Sequence, residues 1–355
     1  MKIALCLHIS LSYGGGGEKW SWIVARHLRS RGHEVEVHAL PYTPHARRVI
    51  DSSEVLGDIP YCESWRHDIK ADIAYIFYNP LAYLFFKCRG CTKIAGMHSN
   101  VYFMQRTPPI TYGAIPLTAR ALYKLIGVAD LSLYNAVHTV NKALKVRHRN
   151  VFYVPNFIDT TIYKPTFKKR EGFTVLFVGR ASWQKGWDTF LHVAKMLSKE
   201  RREGGDLEFL WVGGFLNGSN NIIQGLGYIT NEVELSKVYS SVHVTLYPSR
   251  SDAFSLTIVE SLACGTPVIT TPIETHKSMD LPLIYASTPE EFVQRILEIK
   301  RMYERTPEEY KRLCDEGRRA VERQYDIRIV LPKLEAMFNK VLTERPTCGY
   351  STQKV

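Results

Sequence analysis

The chain has 355 residues, of which 45% are hydrophobic and 23% charged, and its formal net charge is +11. This is an ordinary globular balance, and the length predicts two domains with cores of good size. The seven cysteines are scattered and odd in number, which favours reduced thiols in a cytosolic setting over a disulfide framework. No apolar run reaches the ~20 residues that span a bilayer. With the cysteine pattern, this predicts a cytoplasmic protein, either in solution or peripheral on the inner face of the membrane.

The N-terminus combines an apolar strand with a run of glycines. Met1 to Ile9 is short and runs straight into the glycines without a cleavage-type region, so we expect a buried first strand and no signal peptide. A helical pattern begins at Trp20 and ends at Gly32. Gly15 and Gly16 therefore lie between a strand and a helix, where backbone amides can bind phosphate. The run lacks a dinucleotide or P-loop spacing, and a plain flexible turn is the alternative.

Further buried strands are predicted in the first half at 35–40, 73–78, 93–97, 136–140 and 151–154. His98 directly follows the third of these. Ligands of open α/β sheets bind beyond the carboxyl ends of the strands, so His98 is a candidate site residue, with a structural histidine as the alternative. Cys88 and Cys91 form a lone CxxC pair, which we interpret as buried thiols because zinc would need two further ligands.

The first half also carries most of the excess positive charge. Residues 1–165 hold 20 Lys and Arg against 11 Asp and Glu, whereas residues 166–355 hold 26 against 24. Residues 101–125 mix aromatic and apolar side chains with Arg106, Arg120 and Lys124. This mixture is typical of a surface that binds anionic lipid headgroups or an amphipathic acceptor. A loop packed on its own domain, with a generally basic surface, is an equal alternative.

Residues 164–171 are charged and marked by proline, which is typical of a linker. We therefore expect one domain over 1–165 and a second over 166–355. The second opens with a strand at 173–178, directly followed by Gly179-Arg180, and Lys185-Gly186 comes four residues later. Two cations beside a glycine turn at a strand end can clamp a diphosphate. The charged helical pattern of 289–342 closes the chain, and its last helix is expected to reach back to the first domain.

The stretch 246–270 reads as strand, loop, helix, turn and strand. Its helix begins near Leu256, and the first amides, from Ser255 to Thr257, can face an anion. Asp252 lies in the loop before this helix, and Glu260 lies one turn into it. Two acidic acceptors beside a row of N–H donors suit a ligand with sugar hydroxyls and a diphosphate.

This stretch resembles the signature of the retaining, GT-B-type glycosyltransferases of family 4. The family pattern has a serine, two residues, a glutamate, Gly-Phe-Gly, a second glutamate and a Cys-Gly-Thr-Pro-Val-Ile run. Ser249 and Asp252 begin the pattern here, and Cys264 begins the closing run. The chain departs from it at Asp252, which is one methylene shorter than glutamate, and at Ala253 and Ser255, which replace glycines. The Gly-Arg and Lys-Gly element at 179–186 and the Pro-Asn segment at 155–159 also resemble the family.

The resemblance implies an α/β fold with two Rossmann-like domains that face a cleft, the first binding the acceptor and the second the nucleotide-sugar. It implies transfer of a hexose to a hydroxyl of a glycan, a lipid or a protein, without a metal or other cofactor. The implied catalytic residues are His98, Asp252, Arg180 and Lys185. The implied donor-binding residues are Gly15, Gly16, Arg180, Lys185, Ile229, Ala253, Phe254, Ser255, Leu256, Thr257 and Glu260. A nucleotide-sugar epimerase on the same scaffold and a basic nucleic-acid-binding protein are the alternatives, and nucleic acid is the less favoured partner.

Overall fold

The computed structural model describes residues 1–41, 50–79, 82–98, 131–144, 146–199, 207–214 and 222–343. The segment 101–125, with its aromatic and basic residues, lies outside these ranges. Within them the chain forms two parallel sheets flanked by helices. This confirms the predicted α/β class.

The first sheet has seven parallel strands in the order β3-β2-β1-β5-β7-β8-β9. The strands are β1 Lys2–Leu7, β2 Glu34–Ala39, β3 Tyr61–Glu63, β5 Ile73–Phe77, β7 Thr92–Met97, β8 Ala136–Thr139 and β9 Val151–Tyr153. A separate pair joins β4, His67–Ile69, to β6, Phe86–Cys88. Helices α1, Gly16–Ser30, and α2, Ser52–Leu56, belong to the same half of the chain. The short strands β3, β4 and β6 were not predicted, because three residues carry no readable hydrophobic period.

The second sheet has six parallel strands in the order β12-β11-β10-β13-β14-β15. They are β10 Phe173–Val178, β11 Leu207–Val212, β12 Ile223–Gly225, β13 Val244–Tyr247, β14 Val268–Thr270 and β15 Ile284–Tyr285. The helices are α3 Trp187–Lys199, α4 Glu232–Ser241, α5 Leu256–Ala263, α6 Glu274–Lys277, α7 Pro289–Arg305, α8 Pro307–Gln324 and α9 Ile327–Thr343. Strand β10 has the bounds expected from the sequence, and helix α5 begins at Leu256, as expected.

Helix α9 returns to the first half of the chain. Its apolar side chains, including Leu334 and Phe338, share a core with Trp20 of α1 and Tyr75 of β5. Where the chain crosses, Asp326 is buried and accepts hydrogen bonds from Thr160 and Arg328. Burial acts to raise the pKa of Asp326, but its hydrogen bonds to Arg328 and Thr160 outweigh this and lower it to about 2.

Two cysteines depart from the sequence analysis. Cys88 and Cys91 form a disulfide with their Cα atoms 5.9 Å apart. The prediction of reduced thiols was therefore wrong for this pair, because the turn after β6 brings the two residues within bonding range. Cys6, Cys62, Cys264 and Cys314 are free thiols, as expected.

No helix in the described ranges is both long enough and apolar enough to cross a bilayer. The strand order of each sheet reverses beside its first strand, between β1 and β5 and between β10 and β13. Such reversals open a crevice at the carboxyl ends of the strands, which is where open α/β sheets bind ligands. The glycine loop, Gly179-Arg180 and the loop 248–252 all follow strands at these points.

Two glycines at strand ends allow a test of the second sheet. Gly213 follows β11 at φ +134°, and a Cβ there would lie 2.2 Å from the backbone oxygen of Gly179. Gly227 has φ +77° with open space around it. We expect Gly227→Ala to cost about 1 kcal/mol of unfolding free energy from backbone strain alone. Gly213→Ala adds a backbone overlap and should cost about 3 kcal/mol or more.

Denaturant unfolding followed by circular dichroism measures both values. Equal losses for the two variants would show that the close approach of Gly179 and Gly213 does not limit the fold.

Candidate functional site

Three side chains meet where β10 and β13 end. Lys185 Nζ lies 3.0 Å from Asp252 Oδ2 and donates to the Tyr247 hydroxyl at 2.7 Å. The Tyr247 hydroxyl donates to the same carboxylate oxygen. Lys185 and Asp252, both predicted from the sequence, are therefore directly paired, and Tyr247 joins them.

Hydrogen bonds fasten the two loops that carry this cluster to each other. The backbone N–H of Arg250 donates to the Gln184 carbonyl at 2.9 Å, and Gln184 Nε2 donates to the Ser251 carbonyl at 3.1 Å. Arg250 also reaches Asp188 through two bonds of 2.6 and 2.7 Å. Gly186 is required here, because a Cβ would lie 2.1 Å from the Pro248 carbonyl oxygen. The position of Lys185 is thus set by both loops.

The cluster also sets protonation states. Burial acts to lower the pKa of Lys185, but Asp252 and Tyr247 together outweigh it, and the pKa is raised. Burial, with the Asp252 charge adding to it, raises the pKa of Tyr247 to about 12. At neutral pH the lysine is therefore an ammonium and the tyrosine a neutral hydroxyl, so the site holds a fixed cation next to a fixed donor.

Arg180 differs from Lys185. Its side chain is exposed, and in the described ranges it forms neither a hydrogen bond nor an ion pair with another predicted site residue. It follows β10 directly, one residue beyond Gly179. The arrangement leaves its guanidinium available to an anionic ligand at the strand end.

Helix α5 presents its amino end at the same edge. Ser255 is the N-cap, and its hydroxyl accepts from the Ile258 N–H at 3.3 Å. The N–H groups of Leu256 and Thr257 have no partner within the helix, as at any helix start. A Cβ on Gly16 would lie 3.2 Å from Leu256 Cδ1. The glycine loop of the first domain therefore abuts the start of α5 in the second.

Three other predicted donor-binding residues are mainly packing residues. The side chains of Ala253 and Phe254 are buried in a core that includes residues of both domains, and the centre of the Phe254 ring lies 5.4 Å from that of Tyr325. Ile229 is partly buried against the same core. Their side chains hold the loops in place, so any direct contact with a ligand would come from the backbone.

Glu260 lies in a second polar cluster, built from both domains. The carboxylate is 7% exposed, and Oε2 accepts from the Tyr239 hydroxyl at 3.1 Å. Burial raises the pKa of Glu260, and the Lys19 charge opposes this. Lys19 also pairs with Glu232 and lies 5.4 Å from the centre of the Tyr163 ring. The first domain thus places the Lys19 ammonium near the Glu260 carboxylate of the second domain.

His98 directly follows β7 and ends a chain of hydrogen bonds in the first domain. His138 Nε2 lies 2.7 Å from the Val154 carbonyl, so this nitrogen is the donor. His138 Nδ1 then accepts from the Tyr75 hydroxyl at 2.5 Å, and the Tyr75 oxygen accepts from His98 Nε2 at 2.7 Å. His98 Nδ1 is left as an acceptor.

Burial and the neighbouring His138 hold the pKa of His98 well below its usual range. The ring is therefore neutral at pH 7 and stacks on Phe77 at 4.4 Å. A neutral acceptor nitrogen can bind a hydroxyl group, but it cannot serve as a cationic clamp.

Several members of these clusters were not predicted from the sequence. Tyr247 reads as part of an apolar strand, and Tyr75, Tyr163 and Tyr239 read as core residues. Lys19 follows the glycine run directly, and that position was the one available signal. Tyrosine patterns alone cannot distinguish a ring packed in a core from a hydroxyl aimed at a site.

The fold is GT-B, with two Rossmann-like domains facing a cleft, and known structures share it. Sucrose-phosphate synthase from Thermosynechococcus elongatus superposes with a TM-score of 0.72 over 97% of this chain and 100% of its own, at 15% identity. The Anabaena protein HepE, solved with UDP and glucose, superposes with a TM-score of 0.71 over 95% of this chain and 99% of its own, at 13% identity. Identities this low establish the fold alone.

Residues 172–301 match the family of glycosyl transferases group 1. D-inositol 3-phosphate glycosyltransferase of Paenarthrobacter aurescens is 29% identical over 140 residues, 34% of each chain. Alpha-galactosylglucosyldiacylglycerol synthase of Streptococcus pneumoniae is 24% identical over 187 residues, 44% of this chain and 47% of its own. The match spans a third to a half of the length of these relatives, and the family region contains Arg180, Lys185, Asp252 and Glu260.

The two cations of the site allow a test of anion binding. Arg180→Ala and Lys185→Ala should each weaken binding of UDP or another nucleoside diphosphate by about 10- to 100-fold, since each loses a charge-assisted bond. Only Lys185→Ala should also lower the unfolding free energy, by about 1–3 kcal/mol, because Asp252 loses its partner. Calorimetric titration and thermal unfolding measure the two effects.

Arg170→Ala is the matched control, since Arg170 is an exposed arginine of the same domain that pairs with Glu208. It should bind the nucleotide like the wild type. Wild-type affinity in both site variants would remove Arg180 and Lys185 from the site.

Proposed function

We propose that the protein is a retaining glycosyltransferase that moves a hexose from a nucleotide-diphospho-sugar to an acceptor hydroxyl. The observation that carries the proposal is the cluster of Lys185, Asp252 and Tyr247 beside the amino end of α5. A cation, a helix amino end and an exposed arginine suit a diphosphate, and a nearby carboxylate suits sugar hydroxyls. The lysine, the arginine, the carboxylate and the amino end of α5 all lie within residues 172–301, which match the family of glycosyl transferases group 1.

The proposed reaction uses the donor's own phosphate. The bond between the anomeric carbon and the β-phosphate oxygen breaks, and the acceptor oxygen forms its bond to that carbon on the same face. Lys185, Arg180 and the α5 amides stabilise the negative charge that develops on the leaving diphosphate. The acceptor's proton passes to a β-phosphate oxygen, so atoms and charge balance without a protein nucleophile.

Other residues take binding roles in this proposal. Glu260 accepts the ribose hydroxyls, and its buried position makes each such bond strong. The neutral His98 accepts a hydroxyl of the sugar near the reacting carbon. The cations and amides supply the charge that a metal would otherwise provide, and we propose that transfer needs neither a metal nor another cofactor.

The alternatives named from the sequence are less favoured. The curated relatives are named for glycosyl transfer or glycolipid synthesis, and neither name points to epimerisation or to nucleic acid. The purified protein should therefore yield a new glycoside and free nucleoside diphosphate. Release of an epimerised nucleotide-sugar would identify an epimerase instead.

A substitution at Asp252 should affect sugar transfer and nucleotide binding differently. Asp252→Asn should reduce transfer by about 100-fold or more, because a sugar hydroxyl loses its charged acceptor. Binding of free nucleoside diphosphate should be equal or tighter, because Lys185 is released from the carboxylate. A panel of UDP-, GDP- and ADP-hexoses identifies the donor by calorimetry, and the proton spectrum of the product's anomeric centre reports retention or inversion.

Glu274→Gln, a change at an exposed acid of α6, is the control and should leave both activities unchanged. Equal losses of transfer and of nucleotide binding in Asp252→Asn would indicate a structural role. An inverted product would exclude the proposed mechanism.

We also propose that the first domain meets an anionic membrane surface, where a lipid-linked acceptor would enter the cleft. Trp65 and Leu84 are 58% and 60% exposed, and the Trp65 ring lies 6.3 Å from that of Phe85, beside Leu84. Exposed basic residues lie within five positions of this apolar pair in the sequence, namely Arg66, Lys87 and Arg89. A basic surface with an apolar centre suits headgroups and the upper acyl region.

This patch predicts salt-sensitive binding to vesicles that contain anionic lipid and none to neutral vesicles. Changing Arg66, Lys87 and Arg89 together to Ser should weaken binding by about 100-fold, from about 1 kcal/mol for each charge near the surface. Co-sedimentation at two salt concentrations measures it.

The control removes the same charge from the second domain by changing Arg301, Lys311 and Arg312, which are also exposed, to Ser. Comparable losses in both triple variants would show that overall charge is responsible. A wild-type protein that ignores anionic vesicles at low salt and glycosylates a soluble acceptor would contradict the membrane proposal.

A further inference from the structure

Two histidines and a cysteine meet at the outer edge of the first sheet. His38 lies near the end of β2 and is paired in register with Cys62 of β3, the edge strand. His67 begins β4, and its ring stacks on Phe86. One ligand atom from each of His38, Cys62 and His67 lies within 4.8 Å of the others. None of the three belongs to the clusters described above.

The neighbours of each imidazole determine which nitrogen carries the proton. His67 Nε2 lies 2.8 Å from the Ser64 carbonyl and 3.1 Å from the Ala39 carbonyl. Carbonyl oxygens only accept, so this nitrogen must be the donor. His38 Nε2 lies 3.2 Å from the carboxylate of Glu36, and the negative charge favours a proton rather than a lone pair on that nitrogen. In the neutral form of each ring, Nδ1 therefore carries a lone pair.

These two Nδ1 atoms face each other at 3.0 Å. Two lone pairs at this distance repel unless a cation or a shared proton lies between them. The free, exposed thiol of Cys62 lies beside them. A carboxylate or carbonyl behind each ligating imidazole is the arrangement that orients histidines toward metals.

We propose that His38, Cys62 and His67 bind a divalent transition-metal ion, with zinc as the expected metal. Two imidazoles and a thiolate are a ligand set that zinc prefers. Two nitrogens bound to one tetrahedral zinc lie roughly 3.3 Å apart, so the observed spacing needs to open by only a few tenths of an ångström. Three protein ligands leave the fourth position to water or to another small ligand.

The site joins three short elements, and this suggests its role. The strands β3 and β4 have three residues each, and they meet β2 at the open edge of the sheet. A metal bound there would cross-link the three strands and stabilise this edge. The site is separate from the transfer chemistry proposed above, which uses no metal, and neither proposal depends on the other.

Cobalt provides the test, because its spectrum reports the ligands. The full chain without a histidine tag is treated with a chelator and titrated with CoCl₂ at neutral pH. We expect one equivalent to bind, with a near-ultraviolet sulfur-to-cobalt charge-transfer band and the visible bands of tetrahedral cobalt. Zinc should displace the cobalt and raise the thermal unfolding temperature.

Variants assign the ligands. Cys62→Ser should abolish the charge-transfer band and weaken binding at least tenfold, and its fold should survive because Cys62 is exposed. Glu36→Gln should keep the band and weaken binding by about 10-fold, as expected when a residue behind a ligating histidine is changed. Cys314→Ser and Cys348→Ser leave the three ligands intact and should bind cobalt like the wild type.

Circular dichroism of each variant tests whether it is folded. The proposal is overturned if the wild type binds less than one equivalent, which would indicate that the two histidines share a proton instead. It is also overturned if folded Cys62→Ser keeps the charge-transfer band.

Discussion

The reversal of strand order in two parallel sheets decides where chemistry can occur in this protein. All strands of one sheet end at the same edge, and adjacent connections leave in opposite directions where the order reverses, between β1 and β5 and between β10 and β13. Such reversals leave a crevice in which a ligand can reach the strand ends. The glycine loop, Gly179-Arg180 and the loop 248–252 follow strands at these points. The cluster of Lys185, Asp252 and Tyr247 lies at the reversal between β10 and β13.

Within that crevice, the main electrostatic interaction is the ion pair between Lys185 and Asp252. Lys185 Nζ lies 3.0 Å from the Asp252 carboxylate and 2.7 Å from the Tyr247 hydroxyl. A diphosphate that reaches the site competes for the same cation, and a sugar hydroxyl competes for the same carboxylate. The pair therefore fixes both groups in place while keeping the cost of burying either charge low.

The two domains are coupled through a few residues that lie far apart in the sequence. Helix α9 packs on α1, and Glu335 of α9 accepts from Arg31 at 3.3 Å. Lys19 pairs with Glu232 and lowers the cost of the buried Glu260 charge. Asn141 donates to the Thr275 carbonyl at 2.8 Å and accepts from Ser278 at 2.6 Å. The contacts of Lys19 and Asn141 join the two domains directly, so the environment of Glu260 depends on how the domains are placed.

Sequence patterns alone predicted the α/β class, the bounds of β10, the start of α5, and Lys185 and Asp252 as separate site residues, because hydrophobic period and strand-end position are local properties. They could not predict the short edge strands, the disulfide between Cys88 and Cys91, or the meeting of His38, Cys62 and His67. Those features depend on which strands become neighbours, and sheet order is a long-range property that no window of sequence contains. The roles of Tyr247 and Lys19 could not be predicted for the same reason. Each is ordinary in its own segment, and only the tertiary structure places the hydroxyl beside Asp252 and the ammonium near Glu260.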